Sequence, residues 1–203
     1  MHVAVTGSSG KIGHSAVAAL AAAGHGVTGF DLRPSPNDAP TVPVDCTDRG
    51  QVMDALTGTD PFRTRPDALV HLAGIPAPGL AHDAVTFTAN TTAVYNVFTA
   101  CARLGINRIA WAFSETILGL PFTTPPDFLP PDETHPDRPE WSYALSEQPV
   151  ETMADAFTRW NPGLATTSLR FSNVLTGDDY PGISPLQAAP AHRKANAWAH
   201  VDA

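Results

Sequence analysis

Apolar and polar positions along this chain switch between a period of two and a period near 3.6. His2–Thr6 is a short run of the β type, and a glycine-rich turn follows it. Ile12–Ala23 then places Ile12, Ala16, Leu20 and Ala23 on one helical face, with Gly24 or Gly26 as the stop. Val27–Asp31 reads as a second strand, and Pro34–Asp38 as a loop by its turn chemistry. Thr41–Asp45 reads as a third short strand, and Asp48 stands where it would cap a helix running to Leu56. Ala68–Ala73 is apolar apart from His71, the pattern of a strand covered on both faces. Downstream the spacing predicts a long helix over Asp83–Leu104 with Gly105 beyond its end, and a strand over Arg108–Phe113. An irregular Pro-rich stretch from Pro121 to Pro139 follows, then a helix over Ser142–Trp160 and a strand over Ala165–Phe171. After Asn173 the periodicity fades. Strands alternating with helices in this way predict an α/β fold, a doubly wound parallel sheet.

Composition narrows the function classes. The chain has 203 residues, enough for one self-sufficient core. Twelve Lys and Arg against 20 Asp and Glu give a net charge of −8, which argues against nucleic acid or an anionic membrane as partner. Cys46 and Cys101 form no Cys-x-x-Cys pair, so the expected setting is a reducing cytoplasm without a disulfide framework. The strand-like start leaves no expectation of a leader, and Ala16–Ala23 is far too short to span a bilayer. The eight histidines show no metal-ligand spacing, so no metal is expected.

Chemistry concentrates at the first turn. Thr6-Gly7-Ser8-Ser9-Gly10-Lys11-Ile12-Gly13 leads from strand into helix. Glycines there permit a tight turn, backbone approach to a pyrophosphate and close helix–strand packing, while the helix N-terminus offers free N–H groups to phosphates. Asp31 ends the second strand about 20 residues later, where a carboxylate accepts from adenosine ribose hydroxyls and repels a 2′-phosphate. NAD is therefore the expected cofactor. Arg33, beside Leu32 in the same segment, keeps NADP possible.

Taken with motifs further along, the chain resembles the NAD-dependent epimerase/dehydratase branch of the extended short-chain dehydrogenases, which have a Rossmann-type NAD(P)-binding fold. Thr6-Gly-x-x-Gly-x-x-Gly13 resembles the family's phosphate loop, and Asp45-Cys46 its adenine-side pair. His71-Leu72-Ala73-Gly74 resembles the fourth-strand motif beneath the cofactor, and Asn90 the helix asparagine that supports the active site. Ser114-Glu115-Thr116 with Gly119, Ser142-Tyr143 and Leu169-Arg-Phe-Ser-Asn173 resemble the catalytic and substrate-side segments. The resemblance implies Tyr143 as general acid/base, Ser114 as the hydroxyl that steadies the substrate oxygen, Thr116 as a reserve hydroxyl and Asn173 on the substrate side. It also implies cofactor contacts from Gly7, Ser9, Gly10, Lys11, Ile12, Gly13, Asp31, Leu32, Arg33, Asp45, Cys46, Leu72, Ala73, Gly74, Asn90 and Tyr143.

Two departures qualify that picture. Where the family has a lysine one turn after the tyrosine, this chain has Glu147. Side chains four apart share a helix face. One unit charge at ~6 Å, with an effective dielectric near ~20, is worth roughly 2–3 kcal/mol, about a hundredfold in phenol acidity. Reversing the sign therefore raises the phenol by about ten-thousandfold as an upper limit. Neither Lys11 nor Lys194 stands where it would substitute. The second departure is length: a dinucleotide-binding domain over residues 1–175 is followed only by residues 176–203, the start of a small or truncated substrate-binding region. Two functions stay open. One is an oxidoreductase or epimerase acting on a sugar or nucleotide-sugar-like alcohol, a small-molecule substrate. The other is a non-catalytic dinucleotide-binding protein. The resemblance also implies a homodimer through the two long helices, where Phe87, Val94, Phe98 and Cys101 form an apolar stripe.

Overall fold

The structure, a computed structural model, describes residues 1–35, 41–58, 64–183 and 200–202. Lys194 and most of the Pro34–Asp38 segment lie outside these residues.

Six parallel strands form one sheet: β1 (His2–Thr6), β2 (Gly26–Asp31), β3 (Thr41–Pro43), β4 (Ala68–His71), β5 (Arg108–Ser114) and β6 (Ala165–Phe171). Their spatial order is β3-β2-β1-β4-β5-β6, so the chain builds outward from β1 in one direction and then from β4 in the other. The reversal leaves a crevice beyond the ends of β1 and β4, where open α/β sheets bind their ligands. Helices α1 (Lys11–Ala22), α2 (Arg49–Thr57), α3 (Asp83–Leu104) and α4 (Ser142–Trp160) make the crossovers.

Local chemistry accounts for most boundaries. Asp48 caps α2 by accepting from the N–H groups of Gly50 at 2.8 Å and Gln51 at 3.2 Å. After α1 the N–H of Gly24 bonds the Ala21 carbonyl and that of His25 the Leu20 carbonyl, a Schellman closure. α1 therefore stops one residue before the expected end, and Ala23 is exposed rather than on the buried face. β3 stops at Pro43 instead of Asp45, because Gln51 claims the Asp45 N–H and the Asp45 carboxylate turns back onto Thr47. β4 stops at His71 instead of Ala73: the Leu72 N–H still reaches the Thr6 carbonyl at 3.1 Å, but the Ala73 N–H turns to the Thr6 hydroxyl at 3.4 Å.

The core lies between α3, α4 and the sheet. Val97, Phe98, Ala100 and Cys101 of α3 are fully buried, with Phe98 edge-on to Trp111 of β5 at 5.4 Å. The apolar stripe considered for a dimer is thus largely consumed within the chain: Val94, Phe98 and Cys101 are buried and Phe87 is half-buried. Beyond β6 come β7 (Asn173–Leu175), a short helix α5 (Tyr180–Ile183) and β8 (His200–Asp202). β7 pairs in parallel with β8, so a two-stranded sheet crosses the boundary drawn at residue 175. No described helix is long and apolar enough to cross a membrane.

Candidate active site

A cleft of about 1110 Å³ opens at the C-terminal ends of the strands. Asp31 at the end of β2 and Ser114 at the end of β5 lie three strand spacings apart, roughly 14 Å. The cleft has two chemically different ends.

The first end is shaped by backbone. Gly7 has φ +68°, and a Cβ there would come within 2.6 Å of Ala73 N and of the Leu72 carbonyl carbon. A Cβ on Gly13 would sit 2.0 Å from the Gly7 carbonyl oxygen, so only glycine lets α1 approach the turn this closely. No side chain caps α1, and its first turn holds no acid. Its N–H groups and positive dipole end are left to face the cleft, a fit for a pyrophosphate. The Asp31 carboxylate accepts from the N–H groups of Ser9 and Arg33, each at 3.0 Å. Each oxygen keeps capacity for a further donor such as a ribose hydroxyl.

The structure brings nearly all the expected residues to this cleft. Gly7, Gly10, Lys11, Ile12, Gly13, Asp31, Leu32, Arg33, Asp45, Cys46, Leu72, Ala73, Gly74 and Asn90 line it, as do Ser114, Thr116, Tyr143, Glu147 and Asn173. Ser9 is not among the lining residues; its hydroxyl donates to the Arg33 carbonyl at 2.8 Å and fastens the turn. The Lys11 ammonium is bound to Asp179 at 2.7 Å and the Val174 carbonyl at 3.2 Å, so it ties the turn to the chain after β7. Burial, then the Asp45 and Asp31 carboxylates, pushes the Cys46 thiol up to about 12, which makes it a wall rather than a nucleophile. His71 pairs its Nδ1 with the Thr6 hydroxyl at 2.7 Å. Burial lowers its pKa to about 4, so it stays neutral beneath the turn.

The second end is shaped by side chains. Asn90 accepts from the Ile75 N–H at 2.8 Å and donates to the Ser146 hydroxyl at 3.2 Å, while that hydroxyl donates to the Tyr143 carbonyl at 2.6 Å. This relay fixes the first turn of α4, and with it Tyr143, against the loop after β4. Ser114 ends β5 and caps a short 3₁₀ turn over Glu115–Leu118. Its oxygen accepts from the Thr116 N–H at 3.2 Å and the Thr116 hydroxyl at 2.9 Å. Thr116 therefore donates into Ser114, and the Ser114 proton is left for the phenol of Tyr143, whose anion it favours.

Burial and then Glu147 push the Tyr143 phenol up to about 12, with Ser114 pulling the other way. This shift is counted from a free phenol and has burial as its first cause, so it is a different quantity from the lysine-to-glutamate charge reversal. Glu147 is itself buried: burial, then Glu151, pushes its carboxyl up to about 8, so it is ionised where the phenol titrates. At neutral pH it is mostly protonated and carries little of its negative charge. Sequence reasoning passed over Glu115, which lines the cleft beside Ser114 and is raised by burial to about 7. It also passed over Asn96, whose amide donates to the Cys46 and Thr47 carbonyls at 3.0 and 2.9 Å and holds that loop. The only signal for either was an uncharged or acidic polar residue inside an otherwise apolar or motif-bearing stretch.

A parallel β3-β2-β1-β4-β5-β6 sheet with this crevice defines a nucleotide-binding α/β protein of the doubly wound class. The chain belongs to the NAD dependent epimerase/dehydratase family, which it matches over residues 3–193. It is 29% identical over 185 residues to an L-arabinose 1-dehydrogenase (NAD(P)(+)) of Haloferax volcanii, covering 87% of this chain and 68% of that protein. Among solved structures it resembles a short-chain dehydrogenase/reductase superfamily protein from Agrobacterium tumefaciens with bound NAD (28% identity, TM-score 0.76), covering 96% of this chain and 62% of that one. It also resembles a Thermus thermophilus UDP-glucose 4-epimerase in complex with NAD (27% identity, TM-score 0.76), covering 87% of this chain and 56% of that one. The chain thus spans somewhat less than two thirds of the solved relatives. The cofactor read from the glycine turn and Asp31 is the one for which the family is named.

Proposed function

We propose that the chain binds NAD along this cleft and forms the cofactor-binding part of an oxidoreductase or epimerase acting on a sugar or nucleotide-sugar-like alcohol. The observation that carries this reading is the meeting of Ser114 and Tyr143 at the end of β5, with Thr116 filling the acceptor side of Ser114. Gly7, Gly10 and the first turn of α1 hold the pyrophosphate, and Asp31 holds the adenosine ribose. When bound, NAD supplies the hydride acceptor. Ser114 turns its hydroxyl from the phenol to hydrogen-bond the substrate oxygen and orients the carbinol, keeping its own proton. Tyr143 takes the hydroxyl proton at its phenolic oxygen, or returns one when the reaction runs backward.

The raised phenol limits this chemistry at neutral pH, because only a small fraction is ionised when its pKa is about 12. The rate of a reaction that needs tyrosinate rises with pH through the alkaline range without reaching a plateau near pH 9. Glu147→Lys brings the plateau down and raises activity at neutral pH, since an ammonium one turn away favours the phenolate. The test is the near-ultraviolet absorbance of reduced cofactor, followed with NAD and a panel of sugars, sugar acids and nucleotide sugars. An unchanged pH profile in Glu147→Lys together with undiminished turnover in Tyr143→Phe refutes Tyr143 as the base.

A second reading is favoured by Glu147 itself. A buried carboxyl in place of a cation suits a chain that keeps dinucleotide binding without turnover. NAD binding with no turnover in either protein supports it.

The homodimer expected through α3 and α4 belongs to the same proposal, with the exposed side chains of those helices rather than the buried stripe at the contact. Tyr95 and Leu145 are about half exposed and Trp160 is 67% exposed, and Tyr95, Phe157 and Trp160 form a continuous ring contact across α3 and α4. Light scattering at micromolar concentration that finds only monomer refutes it.

A further inference from the structure

Among the described residues, the second end of the cleft carries acid without a balancing cation. Glu147 lines it with only 9% of its surface exposed. Among the described residues no hydrogen-bond donor or cation meets its carboxyl; the charge acting on it is that of Glu151, four residues further on α4. Tyr143, on the same face, is neutral across the working range. From β6 comes Arg170, but its guanidinium is held by Glu151 at 3.0 Å and Asp137 at 4.0 Å and lies over the Phe113 ring. The end of β5 and the turn after it contribute Ser114 and a second partly buried carboxyl, Glu115. Lys11 is engaged by Asp179 at the other end.

A buried carboxyl so placed is relieved in one of two ways, by a proton or by a cation entering the cleft. The oxidised nicotinamide ring carries a formal positive charge, and the reduced ring carries none. The two dinucleotides share the same adenosine and pyrophosphate. We propose that Glu147 is a specificity residue that makes this cleft favour the oxidised, cationic nicotinamide dinucleotide over the reduced, uncharged one. This rests on the reading that a dinucleotide fills the cleft. With adenosine at Asp31 and pyrophosphate at α1, the Ser114–Glu147 end is what remains for the second nucleoside.

The preference grows with the charge on Glu147. Burial holds its carboxyl near about 8, so it is mostly neutral at pH 7 and ionises above that. A cationic ligand draws the ionisation to lower pH, so binding of the oxidised form releases protons and binding of the reduced form does not. One unit charge acting on another over roughly 10 Å, at an effective dielectric of about 20, changes an equilibrium by roughly tenfold.

The test is calorimetric titration of the full chain with NAD⁺ and with NADH between about pH 6.5 and about pH 9.5, each in two buffers of different ionisation enthalpy. The ratio of the NADH to the NAD⁺ dissociation constant is expected to rise roughly tenfold across that range, with proton release for NAD⁺ alone. Groups that see only adenosine and phosphate cancel in this ratio. In Glu147→Gln the ratio stays flat, and in Glu115→Gln most of the rise persists. A flat ratio in the unaltered protein overturns the proposal, as does a rise that survives Glu147→Gln or disappears with Glu115→Gln alone. If both ligands bind with a flat ratio, this inference falls and the dinucleotide reading stands. If neither binds, both fall.

Discussion

At the Asp31 end of the cleft, binding capacity is a property of the backbone: a glycine turn, an uncapped helix N-terminus and one carboxylate at a strand end. At the Tyr143 end the same crevice is lined by a phenol, a hydroxyl pair and two carboxyls whose protonation is set by burial. The backbone end tolerates change at most neighbouring side chains, because its donors are main-chain N–H groups. The side-chain end does not, because one residue, Glu147, bears directly on the ionisation of the Tyr143 phenol. Binding and chemistry are thereby separable in this fold, and a family member can retain one while the other is retuned.

The sharpest way to break the backbone end is Gly13→Ala. Its methyl would meet the Gly7 carbonyl oxygen at 2.0 Å, with backbone on both sides and nothing flexible to move. NAD binding is expected to vanish from calorimetry, and the melting temperature to drop by the equivalent of about 2–4 kcal/mol, at or above the usual cost of overpacking. Normal NAD affinity in this variant would mean that α1 does not approach the turn as described.

Tyr143→Phe tests the opposite end. On a substrate that the protein turns over, kcat is expected to fall by roughly 10²–10⁴, the usual worth of a general acid/base. NAD affinity should fall far less, because the backbone end is untouched. Parallel losses in kcat and NAD affinity would instead make Tyr143 a binding residue.

Glu147→Gln sharpens the comparison through stability. The carboxyl is raised from 4.5 to about 8 in the folded chain, so between those values the folded state holds the proton more firmly than the unfolded one. Stability from this group is complete below about pH 4.5 and is lost as pH rises toward 8. Glutamine cannot ionise. The variant should match the parent near pH 5 and exceed it by a few kcal/mol, on the order of 2–4, above pH 8. Thermal melts at the two pH values check this, and a gain that is equal at both would show that charge is not the cause.

The smallest effect is expected for Asp31→Ala. Losing a charge-assisted acceptor should weaken NAD by about 1–3 kcal/mol and narrow the preference over NADP. Calorimetry with both cofactors measures it. If the parent already binds NADP as tightly as NAD, Arg33 rather than Asp31 governs the choice.

How much of this was legible in advance differs between the same two ends. α3, α4 and β6 run between the residues expected from periodicity, and α2 ends one residue beyond its expected end. α4 continues through Pro149, since its apolar face packs on α3 and β5 and outweighs one missing backbone bond. Strand ends were less legible. β3 stops early because the Gln51 side chain, from the first turn of α2, claims the Asp45 N–H, and β4 because the Ala73 N–H turns to the hydroxyl of Thr6, distant in sequence. The apolar stripe on α3 could face a partner or the chain's own sheet with the same periodicity, and only packing told which.

What the sequence alone determined is everything that depends on local rules: the alternation of strand and helix, the glycine turn, the Asp48 cap, and the order in which Asp31, Ser114 and Tyr143 occur. These follow from backbone sterics and short-range periodicity, which a linear chain carries in full. The protonation of Glu147 and Glu115, the donation from Thr116 into Ser114, the engagement of Lys11 by Asp179 and of Arg170 by Glu151 were decided only in the tertiary structure. The carboxyl protonation depends on burial, the Lys11 and Arg170 ion pairs on which charges meet across separate elements, and the Thr116 donation on the turn that closes after β5. Electrostatic energies scale with distance and local dielectric, and neither exists until the chain has folded.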